Sequence, residues 1–95
     1  MTYRIYVTKE NFDRFEDGSK KCVSVSQGWY KDAFYNSMAS AKESLAKIKD
    51  ALGYLYDVTE INSVTLLGVR VSNYRGEHFA PVKKVEKVIY HIEKR

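Results

Sequence analysis

The sequence predicts an α+β fold: a single domain with an antiparallel four-stranded sheet in the order β-β-α-β-β, and one amphipathic helix packed on one face. Three observations carry this expectation. Apolar residues alternate with a period of two towards both ends of the chain, and they recur at helical spacing in the middle. The 95 residues leave no room for a second core.

The first strand is expected over 2–8, where Tyr3, Ile5 and Val7 share one face and Arg4, Tyr6 and Thr8 the other. KENFDRFEDGSKK follows, polar except for Phe12 and Phe15, with a turn signal at Asp17-Gly18. It is expected to be a loop or the far end of a long hairpin. The second strand, over 21–27, puts Val23 and Val25 on one face and pairs with the first.

A helix is expected over 37–52. Phe34, Met38, Ala41, Leu45, Ile48 and Leu52 form one apolar stripe, which would extend the helix back towards Lys31. Ser37 suits the N-cap, and Gly53 suits a left-handed residue just past the end. YLYDVTEIN is expected to be a connection or an irregular strand. SVTLLGVRVS carries almost no charge before Arg70, which suggests a central strand over 63–72. Asn73-Tyr74-Arg75-Gly76 forms a turn, and Pro81 marks an edge or a break. The last element, over 85–93, fits a helix stripe or a strand face; its Val-Ile-Tyr-His-Ile run favours a strand.

Composition excludes more than it assigns. The charged fraction is 29% and the hydrophobic fraction 44%, so disorder is not expected. A lone cysteine, Cys22, cannot staple the monomer and fits a reducing compartment. The first ten residues lack an apolar h-region, so a cytoplasmic location is expected, the host cytosol if the gene is phage-borne. The net charge of +4 is concentrated in residues 81–95, with five Lys/Arg against two Asp/Glu.

No catalytic, cofactor or metal signature is present. His78, His91 and Cys22 have no local ligand spacing, and two half-exposed histidines and a buried thiol are expected. The acidic residues of 13–17 and 57–60 sit in polar turns, as solvated charges do. No GxGxxG, GxSxG or complete phosphate-cradling loop occurs. Neither an enzyme nor a cofactor is therefore expected.

Arg4-Ile5-Tyr6-Val7 resembles the first-strand motif of RNA-recognition domains, whose aromatic residue stacks on a base. Arg75-Gly76-Glu77-His78-Phe79 matches the partner motif poorly, and a second helix is missing. The family is rejected, and the idea kept is an exposed aromatic–basic face with Arg4 and Tyr6.

Thirteen rings, eight of them tyrosine, must be divided between core and surface. Tyr30 and Phe34 continue the helix stripe and are expected in the core; Trp29 and Tyr35 lie off it. One helix covers one face of a sheet, so Arg4 and Tyr6, with Arg70, Lys87 and Tyr90, are candidates for the other. The expected function is non-catalytic recognition of a macromolecular partner, most of all a protein, through Arg4, Tyr6, Trp29, Tyr35, Arg70, Tyr74 and Arg75. Phage and mobile-element accessory proteins that occlude host machinery are a common source of such chains. The alternative is a weak nucleic-acid module using Lys83, Lys84, Lys87, Lys94 and Arg95. A homodimer covered by Tyr54, Leu55 and Tyr56 is a further expectation; a membrane partner is not expected.

Overall fold

The computed structural model describes residues 1–73 and 83–95. Its elements are β1 (Tyr3–Arg14), β2 (Lys20–Trp29), α1 (Met38–Leu52), β3 (Asp57–Asn62), β4 (Thr65–Asn73) and β5 (Lys83–Lys94). The class is α+β, but the antiparallel sheet has five strands instead of four, in the order β2-β1-β5-β4-β3. The additional strand comes from YLYDVTEIN. It pairs with β4 across the Ser63-Val64 turn, where Asn62 Oδ1 accepts from the Val64 amide at 3.0 Å.

The ambiguous last element is a strand and holds the middle of the sheet, and the 63–72 segment supplies β4, an interior strand between β5 and β3. Val88, Tyr90 and Ile92 are buried on one face, and β1 and β4 flank it in unbroken register. That alternation suits a sheet packed on one side only.

β1 runs past Thr8 to Arg14, so KENFDR is strand rather than loop. The hairpin turns through Gly18, whose φ of 86° favours glycine. Asp17 Oδ1 accepts from the Ser19 amide at 2.8 Å and the Ser19 hydroxyl at 2.6 Å. The Ser19 hydroxyl and amide hold the Asp17 carboxyl below its usual range. A bulge between Asn11 and Phe12 gives β2 an extra residue at Val23. Val23 and Val25 are both exposed on this edge strand.

α1 begins at Met38, with Ser37 Oγ accepting from the Ser40 amide at 3.1 Å. Because the helix starts there, Phe34 falls outside its stripe; it is 61% exposed instead of buried. Gly53 is not left-handed. It stays right-handed at φ −59° and ψ −16°, donating to the Lys49 carbonyl, while Tyr56 N–H closes the last turn on Leu52. Ala41, Leu45 and Ile48 pack on Ile5, Leu66, Val88, Tyr90 and Ile92, with Tyr30 edge-to-face on Tyr90.

The molecule measures 53 × 21 × 20 Å, and the helix lies over only part of the sheet. Beyond Val88 the helix-side positions turn polar, with Asn11 and Asp13 on β1, Ser24 on β2, and Glu86 on β5. Burying those groups without partners would be unfavourable, so no helix belongs there.

Gly68 lies opposite Val58 and Val88 on the covered face. A Cβ there would sit 3.0 Å from Val88 Cγ1 and 3.3 Å from Tyr56 Cβ, so glycine lets the Tyr56 ring lie against the strand. The Tyr56 hydroxyl donates to Glu86 Oε1. Burial, reinforced by Glu86 and opposed by Arg70, pushes the Tyr56 phenol up to about 12.

An unfolded tyrosine titrates near about pH 10, so above that value the unfolded chain releases a proton that the folded one keeps. Stability therefore falls as pH rises from about 10 towards 12. Tyr56→Phe is expected to flatten this fall in urea titrations. A residue of it remains from Tyr90, whose phenol burial also pushes up. An unchanged alkaline slope in the variant would remove Tyr56 as the cause.

Candidate aromatic–guanidinium site

The face opposite α1 is uncovered among the described residues. Strand alternation places Arg4, Tyr6, Thr8, Glu10, Phe12 and Arg14 of β1 there. Register then lines up cross-strand rows. Trp29, Tyr6, His91 and Thr65 form one row; Gln27, Thr8, Ile89 and Leu67 form the next; Phe12, Val85 and Val71 lie further along. His91 Nδ1 and Thr65 Oγ1 share a 2.6 Å hydrogen bond within the first row.

The aromatic end is built around Trp29. Tyr6 meets it edge-on, with ring centroids 5.2 Å apart and planes at 73°. The Arg4 guanidinium carbon lies 4.5 Å from the Trp29 ring centre and 4.4 Å from that of Phe34. Arg95 brings a second guanidinium to 4.3 Å from the Trp29 ring. Backbone hydrogen bonds in both directions between Thr2 and Arg95 fix that residue beside β1.

Lys31, with φ 53°, turns the chain sharply after Tyr30, and its carbonyl accepts from Arg4 Nη2 at 3.4 Å. A left-handed lysine is an uncommon backbone state that its surroundings must hold in place. Each cation–π contact contributes about 0.5–1 kcal/mol at such exposure. Glu93 stands opposite Arg4 in the β1–β5 register, but no carboxylate lies in ion-pair contact with either guanidinium among the described residues. Arg4 Nε is buried without a hydrogen-bond partner.

Of the residues singled out in the sequence, Arg4, Tyr6 and Trp29 are brought together. Two others are not. Tyr35 pairs its backbone with Tyr3, and its hydroxyl shares a 2.7 Å hydrogen bond with Ser44 on α1, which places it beside the core. Arg70 lies on the helix side of β4, in register with Glu86. Strand parity decides this, because Leu66, Gly68 and Arg70 alternate onto one face. Tyr90, a candidate for the open face, is buried under the helix for the same reason, whereas Lys87 is on the open face. Tyr74 and Arg75 lie outside the described residues, as do His78 and Pro81.

Lys83, Lys84, Lys87, Lys94 and Arg95 do not form one track. They alternate between faces along a strand of roughly 40 Å. Tyr54 and Leu55 are exposed, and Tyr56 beside them is partly buried with its hydroxyl on Glu86. Cys22 is exposed, not buried, because it lies on the edge strand.

Sequence reasoning missed the roles of Arg95, Phe34 and Lys31. Arg95 meets Trp29, and Phe34 and Lys31 meet Arg4, only because β1 pairs with both β2 and β5, and no local signal encodes that pairing.

Among the described residues, no group of three or more His, Cys, Asp and Glu side chains is placed to hold a metal ion. No described helix is long and apolar enough to cross a membrane. No family model, curated protein or solved structure matches the chain.

Proposed function

We propose that this protein is a non-catalytic binding protein that grips a protein partner through the Trp29 end of its uncovered sheet face. One observation carries the reading. Two guanidiniums, Arg4 and Arg95, stack on a single indole at the open face, with no carboxylate in ion-pair contact among the described residues. Tryptophan and arginine are the side chains that dominate protein–protein affinity. Here they are pre-arranged, which lowers the ordering cost of binding. The partner surface that fits carries carboxylates beside an apolar patch. Binding of this kind acts by occlusion, as an accessory inhibitor does.

A second copy of the chain is a poor occupant. Face-to-face pairing would bring cationic ends of the sheet together, because the far end carries Arg14 and Lys83 on the same face.

Immobilised protein incubated with nuclease-treated lysate of the native cell tests the reading. The wild type is expected to retain a partner that Arg4→Ala/Arg95→Ala captures at least about tenfold less well. Arg70→Ala, on the covered side, serves as the control and is expected to capture normally. Equal capture by the double variant, or loss of capture on nuclease treatment, would overturn the proposal.

A further inference from the structure

The open face ends, some 26 Å from Tyr6 along β1, in a second arrangement that the aromatic site does not use. Register sets Lys20 of β2, Arg14 of β1 and Lys83 of β5 directly opposite one another. Adjacent strands are about 4.8 Å apart, so three cations fall within a span of about 10 Å. Like charges directly opposite on neighbouring strands are unfavourable. A fold keeps such a row at a cost unless an anion lies across it.

Among the described residues, nearby acids do not neutralise it. Asp17, in the turn, is committed to the Ser19 amide and hydroxyl. Asp13 alternates onto the helix side, opposite Lys21 and Lys84. Lys87 has Glu10 opposite it and is outside the row. Arg14 Nε, like Arg4 Nε at the other end, is buried without a hydrogen-bond partner. No carboxylate pairs with Lys20, Arg14 or Lys83 among the described residues.

We infer that the row Lys20, Arg14 and Lys83 is a phosphate-binding site for the backbone of a single-stranded nucleic acid. Phe12 and Val85 occupy the next positions inward on the same face, opposite each other. A single strand offers phosphates for the row and an unpaired base for the half-buried Phe12 ring, the combination that sequence-tolerant binders use. An acidic peptide offers the charge without the flat ring. Duplex DNA is disfavoured by number, since backbone-gripping proteins make about 6–10 phosphate contacts.

Fluorescence anisotropy of a labelled oligothymidylate tests the site. With three phosphates neutralised, log K is expected to fall against log salt with a slope of about −2. Lys20→Glu/Lys83→Glu is expected to lose at least about tenfold in affinity at low salt. Lys42→Glu/Lys47→Glu on α1 makes the same change in net charge and is expected to lose less than about twofold. Should the reversal variant fail to fold by circular dichroism, Lys20→Gln/Lys83→Gln is expected to lose about threefold or more. Equal losses in the tip and helix variants would overturn the inference. So would absence of wild-type binding at low salt, or displacement of the oligonucleotide by polyglutamate as readily as by unlabelled strand.

Discussion

Ile5→Ala is expected to lower the unfolding free energy by about 2–5 kcal/mol, the range for emptying a fully buried aliphatic position. Ile5 is 0% exposed, stands opposite Ile92 in the β1–β5 register, and belongs to the cluster that seats Ala41, Leu45 and Ile48 of α1. No neighbour can collapse freely into the space, because it is bounded by two strand backbones and a capped helix. A domain of this length has about 5–14 kcal/mol to lose, so one truncation removes a large share. Val71→Ala is the comparison: Val71 is 55% exposed on the open face, and its loss is expected to stay within about 0.5 kcal/mol. Urea midpoints of the two variants measure the difference. Equal shifts would mean that the core does not lie between α1 and the β1–β5 pair.

Periodicity made much of this core legible, since Ile5, Ala41, Leu45, Ile48, Val88 and Ile92 fall on regular stripes, whereas Tyr90 was expected on the open face. What escaped was whatever depends on pairing between distant strands. β3 has Asp57, Thr59, Glu60 and Asn62 along an exposed edge, and an edge strand needs no apolar alternation to be held by its neighbour. The length of β1 was hidden by polar residues beyond the end of the helix, where neither face is deeply buried. Phe34 fits a helical spacing by arithmetic alone; the Ser37 cap overrides it by starting the helix one turn later. Trp29 could be nominated from the sequence only as one contact residue among seven. That Arg4 and Arg95 both reach it follows from β1 lying between β2 and β5, a topological fact without a local signature.

Had the β1–β2 hairpin been counted outward from the Asp17-Gly18 turn, Arg14 would have been placed opposite Lys20. Lys83 joins them only through the β1–β5 pairing.

The same topology makes Trp29→Ala the most informative change on the open face. Removing the indole takes away the ring on which both guanidiniums rest and the partner of Tyr6, so three side chains lose their fixed positions together. Affinity for the protein partner is expected to drop by about 2 kcal/mol or more, close to 30-fold, as for a central hot-spot residue. Trp29→Phe keeps a smaller ring with weaker attraction for cations and is expected to recover most of that loss. The fold itself should tolerate both, because Trp29 stands on the face away from α1 and outside the buried cluster. Titration calorimetry with the captured partner, run beside urea unfolding of each variant, separates lost recognition from lost structure. Binding within twofold of wild type in a folded Trp29→Ala protein would show that the indole braces the sheet end and that the partner is met elsewhere. A 30-fold loss restored by phenylalanine would identify the stacked arginines, presented on a ring, as what the partner recognises.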